Sequence, residues 1–343
     1  MKGPPLDFRN GMVDMSHGGG GRAMAQLVDE LFIAAFDNDL LRQRNDQASF
    51  AVEAGRMVMT TDGYVISPLF FPGGDIGSLA VHGTINDVAM AGAVPLALSA
   101  SFIIEEGLPL ADLRRIVLSM AAASREAGVP VVTGDTKVVE RGKGDGLFIT
   151  TTGIGRVPPG ITISGDLARP GDAILVSGSM GDHGVAVMSQ RENLGFATDL
   201  KSDSAALHGL VAAMVAATPS IHCLRDPTRG GLASTLNELA HQSGVGMIIE
   251  ETAIPLRAEV AGACELLGLD PLYVANEGKL IAILPEAEAS RLLAVMRDHP
   301  LGREAAVIGR VVEDRHRFVQ MQTAFGGRRI VDWLAGEQLP RIC

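Results

Sequence analysis

The sequence has few cysteines, few aromatic residues and no run of basic residues, and these shortages exclude several classes of protein. It holds 29 Lys and Arg residues against 40 Asp and Glu residues, for a net charge of -11, and only 4% of its residues are aromatic. Proteins that bind nucleic acids or anionic membranes need a positively charged surface. We therefore expect neither kind of partner.

The three cysteines, Cys223, Cys264 and Cys343, occur in no CxxC or zinc-type spacing. A small, odd number of thiols is typical of a reducing compartment rather than of a disulfide-bonded secreted fold. The first ten residues carry charges and two prolines, where a signal peptide would be apolar. The apolar stretch 88–104, which holds no charged residue, is shorter than the about 20 residues that cross a bilayer. These features predict a cytoplasmic protein without a membrane span.

What the sequence does contain suits two folded domains. It has 343 residues, of which 47% are apolar, and this is enough for two cores of ordinary size. Strand-like apolar segments alternate with amphipathic helical segments over residues 46–157, and the alternation resumes over residues 168–322. The proline- and glycine-rich stretch 158–171 breaks both helix and strand, so it marks the junction. We predict an α/β (α+β) fold.

Shorter segments flank the two predicted domains. Residues 1–45 hold a glycine cluster at 18–21 followed by a helical pattern. The sequence has neither a GxxxxGK[ST] motif nor a GxGxxG motif after a strand, so the glycines indicate a flexible linker or a lid over a nucleotide. Residues 326–343 begin with two glycines that suggest a hinge, and the chain stops at Cys343. A flexible tail that carries a free terminal thiol is predicted.

A short internal sequence similarity suggests that the two domains are related. Residues 85–89 and 236–240 share the order apolar, Asn, acidic, apolar, Ala, and each follows an aspartate and glycines on a predicted helix. Such self-similarity indicates a duplicated unit.

Acidic residues at turn-like positions are the first candidates for chemistry. Five aspartates share this setting: Asp46, Asp62, Asp87, Asp135 and Asp226. Carboxylates are the ligands by which Mg²⁺ is commonly held beside nucleotide phosphates. An aspartate beside Gly, Thr or Pro also serves to form a turn or to cap a helix. Their number in one acidic chain favours a nucleotide site.

Three further residues have two readings each. Lys137 ends an apolar strand, where its ammonium can reach a phosphate, although most lysines are solvated surface groups. Glu277 precedes a predicted strand and would act as a general base if desolvated, or else is a plain turn carboxylate. His82 lies one helical turn or so before Asp87, and is either a site residue or a structural histidine.

Taken together, the motifs resemble the HypE family of hydrogenase maturation factors, carbamoyl dehydratases within the PurM-like superfamily of aminoimidazole ribonucleotide synthetase and selenophosphate synthetase. The segments that carry the resemblance are MSHGGGG (15–21), TTDGYVISPLFFPGGDIG (60–77), HGTINDVAMAGAVP (82–95), VTGDTKVV (132–139), CLRDPTRGGLA (223–233), ANEGKL (275–280) and the terminal PRIC (340–343). They span the chain from about residue 7 to its end. PRIC is the most specific of them, because other members of the superfamily lack it.

The resemblance implies two PurM-like domains with mixed sheets, the first of which dimerises by building a β-barrel from the strands of both copies. It also implies that ATP binds near the domain junction. A carbamoyl group from a HypF-like carbamoyltransferase would be carried on Cys343 and dehydrated to a thiocyanate. The cyano group would then pass to iron on a complex of HypC and HypD, for use in [NiFe]-hydrogenase.

Roles for individual residues follow from the same resemblance. The implied Mg²⁺ ligands are Asp87, Asp226 and Asp46; the implied ATP-binding residues are Asp62, Asp135, Asn86, His82 and Asn237; the implied catalytic residues are Cys343, Glu277 and Lys137. Two alternatives remain at this point. A selenophosphate synthetase resembles its family through a cysteine in the early glycine-rich segment, whereas here no cysteine precedes Cys223. The other alternative is a non-enzymatic scaffold that docks through its tail.

Overall fold

The computed structural model describes residues 5–19, 21–44, 47–192, 200–334 and 341–343. Two sheets divide these residues into two domains: a four-stranded sheet in the first and a seven-stranded sheet in the second. Helices pack on both sheets. The α/β fold class predicted from the sequence is confirmed.

Four long strands form the sheet of the first domain: β1 (Arg56–Tyr64), β4 (Val94–Glu105), β5 (Val131–Val139) and β6 (Leu147–Val157). A short hairpin of β2 (Phe70–Phe71) and β3 (Gly74–Asp75) lies between β1 and β4 in the chain. The spatial order is β1-β6-β4-β5, with β4 and β5 parallel and the other neighbours antiparallel. The sheet is therefore mixed, and β1 and β5 form its opposite edges.

Helices α4 (Ile76–Met90) and α5 (Leu110–Ala127) cover one face of this sheet. Asp75 caps α4, because its carboxylate accepts hydrogen bonds from the backbone amides of Gly77 and Ser78 at 2.9 and 3.0 Å. Side chains on the opposite face remain exposed, and Met59 on β1 is 74% exposed. One face thus forms the core and the other faces outward.

The segment before β1 packs against the β5 edge of the sheet. It contains a 3₁₀ turn (Met15–His17) and helix α1 (Arg22–Leu27), which continues through a π-helical turn (Val28–Ile33) into α2 (Ala34–Phe36), followed by α3 (Asp39–Arg42). Leu27 and Leu31 are buried, as their helical spacing predicts. The ring of Phe32 lies 4.8 Å from the ring of Phe102 on β4. This contact anchors the segment to the first domain.

The second domain has a mixed seven-stranded sheet, in the order β13-β12-β9-β11-β7-β10-β8. Its strands are β7 (Asp172–Val176), β8 (Cys223–Arg225), β9 (Gly246–Glu250), β10 (Ile281–Pro285), β11 (Ala306–Val312), β12 (Val319–Gln322) and β13 (Arg328–Ile330). Its helices are α6 (Asp182–Arg191), α7 (His208–Ala217), α8 (Gly231–Ser243), α9 (Ala258–Leu267) and α10 (Glu286–Asp298). Most of these elements follow the predicted alternation; β8 and β13 were not anticipated.

Residues 200–207 pass between the two domains and contact both. The backbone amide of Ser202 donates to the carbonyl of Pro72 at 2.8 Å. The side chain of Asn86 on α4 donates to the carbonyls of Ala205 and Glu277 and accepts from the amide of Leu207. A single buried amide therefore fixes the first domain to the second beside the predicted site.

The start of the tail lies within the second sheet. Gly326 has a positive φ of 84° and forms, with Gly327, the turn between β12 and β13. Val331 is fully buried, and its carbonyl accepts a hydrogen bond from Asn237 on α8 at 2.9 Å. The predicted hinge at these glycines is therefore a hairpin turn, since a Gly-Gly pair suits a tight turn as well as it suits a hinge. The chain leaves the sheet only after Val331.

Within the residues that the structure describes, no helix combines the length and the apolar character needed to cross a membrane.

Candidate active site between the two domains

Four of the predicted acidic residues meet where the two domains face each other. Asp62 lies near the end of β1, Asp87 on the adjacent helix α4, Asp226 directly after β8, and Glu277 four residues before β10. The Thr60 hydroxyl donates to the Asp87 carboxylate at 2.9 Å. The ends of elements from both domains thus place carboxylates into one shared space.

The pKa values of Asp87, Asp226 and Glu277 are raised because the site is buried and rich in negative charge. Burial first, and then the charge of Asp87, raise the pKa of Asp226 to about 7, although Arg225 opposes this rise. Burial also raises the pKa of Asp87, with a further contribution from Asp62. The pKa of Glu277 is raised well above 4.5 by burial and then by the charge of Asp226. The charges of neighbouring carboxylates therefore contribute to each of these three shifts.

Glu277 is held by its backbone, while its carboxyl group is less constrained. Its amide donates to the carboxylate of Asp203 at 3.0 Å, and its carbonyl accepts from Asn86 at 3.1 Å. Lys279 forms a buried ion pair with the same Asp203 at 3.1 Å. The Oε1 atom of Glu277 is buried without a hydrogen-bond partner. A buried carboxyl oxygen with no partner is an unusual feature that fits a catalytic group.

The C-terminal residues dock into this site. The carbonyls of Cys343 and Arg341 accept hydrogen bonds from the amides of Val65 at 3.0 Å and Ser67 at 3.2 Å. Ile342 is buried in the core of the first domain. Burial raises the pKa of the Cys343 thiol, with a further increase from Glu277 and a small decrease from Arg229. The terminal thiol thus lies in the electrostatic environment of Glu277.

Lys137 and Asp135 do not join this cluster. Both lie on the edge strand β5 and form an exposed ion pair of 3.0 Å. Asp62 lies on β1, at the opposite edge, and aligned strands place about 14 Å between the two edges. Asp135 and Lys137 also pair with Ser101 and Ile103, which lie on the face away from the helices. Within one copy, the predicted site residues therefore form two groups.

A cavity of about 400 Å³ lies beside Asp135, between the N-terminal helical segment and β5. Phe32, Phe36 and Val131 form apolar walls, and the Asp29–Arg44 ion pair lies among the lining residues. The glycine-rich segment borders it: Gly21 lines the cavity. Pockets of this size and character bind small molecules and cofactors.

The remaining predicted site residues have structural partners. His82 bonds to the hydroxyl of Ser204 at 3.0 Å, and burial lowers its pKa to about 4, so it is neutral near pH 7. Asn86 joins the domains, as described above. Asn237 donates to the carbonyls of Ala233 and Val331, so it anchors the start of the tail rather than lining the cluster. Asp46 lies outside the described residues.

Several residues at the site were not identified from the sequence. Asp203 and Ser202 belong to a polar stretch without a recognisable motif, and His183 follows a glycine-rich turn that could equally be a plain loop. Arg229 lies in the segment CLRDPTRGGLA, and its position three residues after Asp226 was a usable signal. Its positive charge opposes the rise in the pKa of both Asp87 and Cys343.

The donor chemistry of Asp87 and Asp226 fits Mg²⁺. Among the described residues, no three His, Cys, Asp or Glu side chains stand close enough together to hold a metal ion by themselves. Mg²⁺ in nucleotide sites needs only one or two protein carboxylates and takes its other ligands from phosphates and water. The raised pKa values of this pair are those of carboxylates that lack a neutralising charge. A bound cation would supply that charge.

Asp226 makes stability depend on pH in a defined direction. Its folded-state pKa of about 7 lies above the value of about 4 for an unfolded carboxyl. The stability that its proton supplies is present below about pH 4 and is lost as the pH rises toward about 7. In EDTA, Asp226→Asn should therefore raise the free energy of unfolding at about pH 8 by on the order of 2 kcal/mol, and raise it less at about pH 5.

Urea unfolding at both pH values tests this expectation, with Asp298→Asn on the exposed end of α10 as the matched control. The gain should shrink when Mg²⁺ is added, because the cation stabilises only the wild-type carboxylate. An equal effect of Asp226→Asn at both pH values would contradict the raised pKa.

Comparison with known proteins identifies the family. Residues 44–157 match the N-terminal domain, and residues 169–322 the C-terminal domain, of AIR synthase related proteins. The chain is 73% identical to a carbamoyl dehydratase HypE of Azotobacter vinelandii, over 98% of this chain and 99% of that protein. It is 46% identical to the carbamoyl dehydratase HypE of Escherichia coli K12, over 96% of this chain and 99% of that protein. The similarity thus extends over both domains.

Solved structures agree with the sequence relatives. A crystal structure of hydrogenase maturation protein HypE in complex with ATP superposes with a TM-score of 0.93 at 55% identity, covering 96% of this chain and 99% of that one. The HypE chain of a HypE–HypF complex gives a TM-score of 0.80 at 48% identity, covering 90% and 99% of the two chains. A thiamine monophosphate kinase of Aquifex aeolicus, at 21% identity and a TM-score of 0.61, shares the fold. The resemblance predicted from the motifs is confirmed: the chain belongs to the carbamoyl dehydratase HypE family of hydrogenase maturation enzymes.

Proposed function

We propose that the protein uses ATP to dehydrate an S-carboxamide on Cys343 to a thiocyanate, which supplies the cyanide ligand for the iron of [NiFe]-hydrogenase. The observation that carries this proposal is the docking of Cys343 beside the buried carboxyl group of Glu277. A tail segment is usually poorly ordered and stays outside the buried parts of a protein. Docking of this tail in a buried acidic site is expected if it presents a reacting group there.

The chemistry requires an activated oxygen and a base. The carboxamide oxygen attacks the γ-phosphorus of ATP, and ADP departs with the electrons of the broken P–O bond. The C–O bond of the resulting phosphate ester then breaks as the nitrogen loses both protons, and a C≡N bond and phosphate form. A desolvated carboxylate suits the removal of a nitrogen proton. Among the carboxylates, Glu277 has the largest effect on the pKa of the docked thiol.

Cations at the site serve the phosphate. Mg²⁺ held by Asp87 and Asp226 would neutralise the charge that develops during phosphoryl transfer and would lower the pKa of Glu277. Arg229 adds positive charge near Asp87 and Cys343, because its charge offsets part of the rise in the pKa of each group. The two tasks thus fall to different groups: the cations assist phosphate transfer, and the carboxyl group of Glu277 removes the proton.

ATP binding to this chain is supported by the relative crystallised with ATP and by the cavity beside Asp135. Its apolar walls, which include Phe32 and Phe36, suit a nucleobase, and Asp135 and Lys137 lie next to it on β5. The carboxylate cluster meets this sheet at its opposite edge, where Asp62 lies on β1. Within one copy, the width of the sheet therefore separates the cavity from the cluster.

A homodimer resolves this separation. The uncovered face of the first sheet exposes Met57, Met59 and Ile103, an apolar surface that suits burial. Pairing two such sheets into a barrel across a two-fold axis would bring the β5 edge of one copy to the β1 edge of the other. Lys137 and Asp135 would then complete the partner copy's site. We propose that the active enzyme is this dimer.

The tail must also meet other proteins. A solved relative forms a complex with HypF, and this supports a HypF-like carbamoyltransferase as the donor to Cys343. A complex of HypC and HypD is the proposed acceptor of the cyano group. We place these encounters in the cytoplasm, because the three cysteines are free thiols and Cys343 must stay reduced to accept its cargo.

Intact mass spectrometry tests the proposed reaction directly. The wild-type chain, incubated with a carbamoyl donor, a HypF-like transferase and MgATP, should gain one carbamoyl group and then lose one water, both localised to Cys343. Cys343→Ser should show neither change, and its ATP-dependent phosphate release should fall to background. A terminus that stays unmodified in the wild-type chain would overturn the proposal.

A further inference from the structure

The fully buried imidazole of His183 on α6 contacts the docked tail. Its Nε2 atom lies 2.8 Å from the carbonyl oxygen of Ile342, and its Nδ1 atom lies 2.8 Å from the hydroxyl of Ser202. Its ring packs edge-on against Phe71, with 5.5 Å between ring centroids. The imidazole therefore connects the second domain, the interdomain segment and the tail.

The partners determine which nitrogen carries the proton. A carbonyl oxygen can only accept, so Nε2 must donate to Ile342. Burial lowers the pKa of His183, which favours the neutral ring, so Nδ1 accepts from Ser202. The hydroxyl of Ser202 in turn accepts from the amide of Ser204 at 3.1 Å. The Nε2 proton has the Ile342 carbonyl as its acceptor only while the tail is docked.

The other tail contacts lack this property. Val65, whose amide bonds to Cys343, is exposed, so water can take the place of the tail there. Arg191, which donates to the carbonyl of Arg341 at 2.6 Å, has a long side chain near the surface. His183 is buried completely with the tail in place, so its hydrogen bond to the Ile342 carbonyl is shielded from competing water. A hydrogen bond in such a low-dielectric environment is stronger than one at the surface, and it is lost when the tail leaves.

We propose that His183 is a positioning residue that holds the C-terminal tail in the site through this buried hydrogen bond. The proposal rests on the function proposed above, because that function gives tail docking its purpose. Tail docking itself can be measured without any turnover. His183 contacts the backbone of Ile342 rather than the thiol or the reacting atoms. It acts by setting the fraction of time for which Cys343 is docked in the site.

Alkylation of Cys343 by iodoacetamide measures the undocked fraction. His183→Phe keeps a ring against Phe71 and removes both nitrogens, so the alkylation rate of Cys343 should rise by about tenfold. His183→Gln retains a donor near the position of Nε2 and should restore a rate close to that of the wild type. Cys223 and Cys264 are 0% and 1% exposed and provide an internal reference, because they react only if the fold opens.

His222→Gln is the matched control. His222 is a partly buried histidine paired with Asp172 at 2.8 Å in the second domain, and it does not contact the tail. Its replacement should leave the Cys343 rate unchanged. An unchanged rate in His183→Phe would overturn the proposal, and so would a rise that is matched by Cys223 and Cys264, since that pattern means general unfolding.

Carbamoylation supplies a second measurement with a defined direction. At a limiting concentration of a HypF-like transferase, His183→Phe should accept the carbamoyl group about tenfold faster, whereas dehydration should not become faster. A merely structural role would slow both steps, and that result would overturn the proposal. If the wild-type chain showed no dehydration, the proposed function would fail, while the alkylation rates would still decide the role of His183.

Discussion

Glutamine in place of Glu277 should leave the protein folded and stop the reaction at the carboxamide. The substitution keeps the shape of the side chain and removes the only group proposed to take the nitrogen protons. Loss of a general base lowers a rate by about 10²–10⁴-fold. Intact mass spectrometry should therefore show a Cys343 that carries a carbamoyl group and does not lose water.

Stability cannot account for such a loss. The pKa of Glu277 is raised well above 4.5, so ionising this carboxyl in the folded state is unfavourable, and a neutral glutamine removes that cost near pH 7. The melting temperature of Glu277→Gln should equal or exceed that of the wild type. Glu265→Gln, on the exposed surface of α9, is the matched control and should dehydrate normally. Thiocyanate formation at the wild-type rate in Glu277→Gln would remove Glu277 from the mechanism.

The elements of the fold could be predicted from the sequence because each domain alternates apolar and amphipathic segments. The pattern predicts a helix over 76–91 and strands over 94–104 and 147–157, and α4, β4 and β6 begin and end within a residue of these bounds. Strand β13 was missed because its three residues, Arg328–Ile330, are exposed and carry no apolar alternation. A strand that is stabilised only by backbone hydrogen bonds to its neighbour produces no recognisable pattern in the sequence.

The site was predictable where a motif carried it, and not where tertiary packing built it. Asp87, Asp226 and Glu277 lie in short sequence motifs, and the structure brings them together where the two domains meet. Asp203 has no such motif, since it acts by receiving the backbone amide of Glu277 from another part of the chain. Nor could the sequence show that Lys137 lies across the sheet from Asp62, because strand order is a property of the folded domain.

That strand order leads to an expected result for two inactive variants. Lys137→Ala and Glu277→Gln should each abolish thiocyanate formation as homodimers. If each site takes Glu277 from one copy and Lys137 from the other, a mixed dimer has one site with both residues intact and one with neither. Random pairing of co-expressed chains should then restore about a quarter of the wild-type activity.

A site built from residues of one copy predicts no restored activity. If Lys137 served Glu277 of its own copy, every site in every dimer would lack one of the two residues, and mixing would restore nothing. Lys143→Ala, on the loop after β5, is the matched control, and its dimers should be active alone. Differently tagged chains allow the mixed dimer to be isolated, and its single active site should modify only the copy that retains Glu277. Thiocyanate on the other copy would show that the tail crosses the dimer, and an inactive mixed dimer would overturn the shared site.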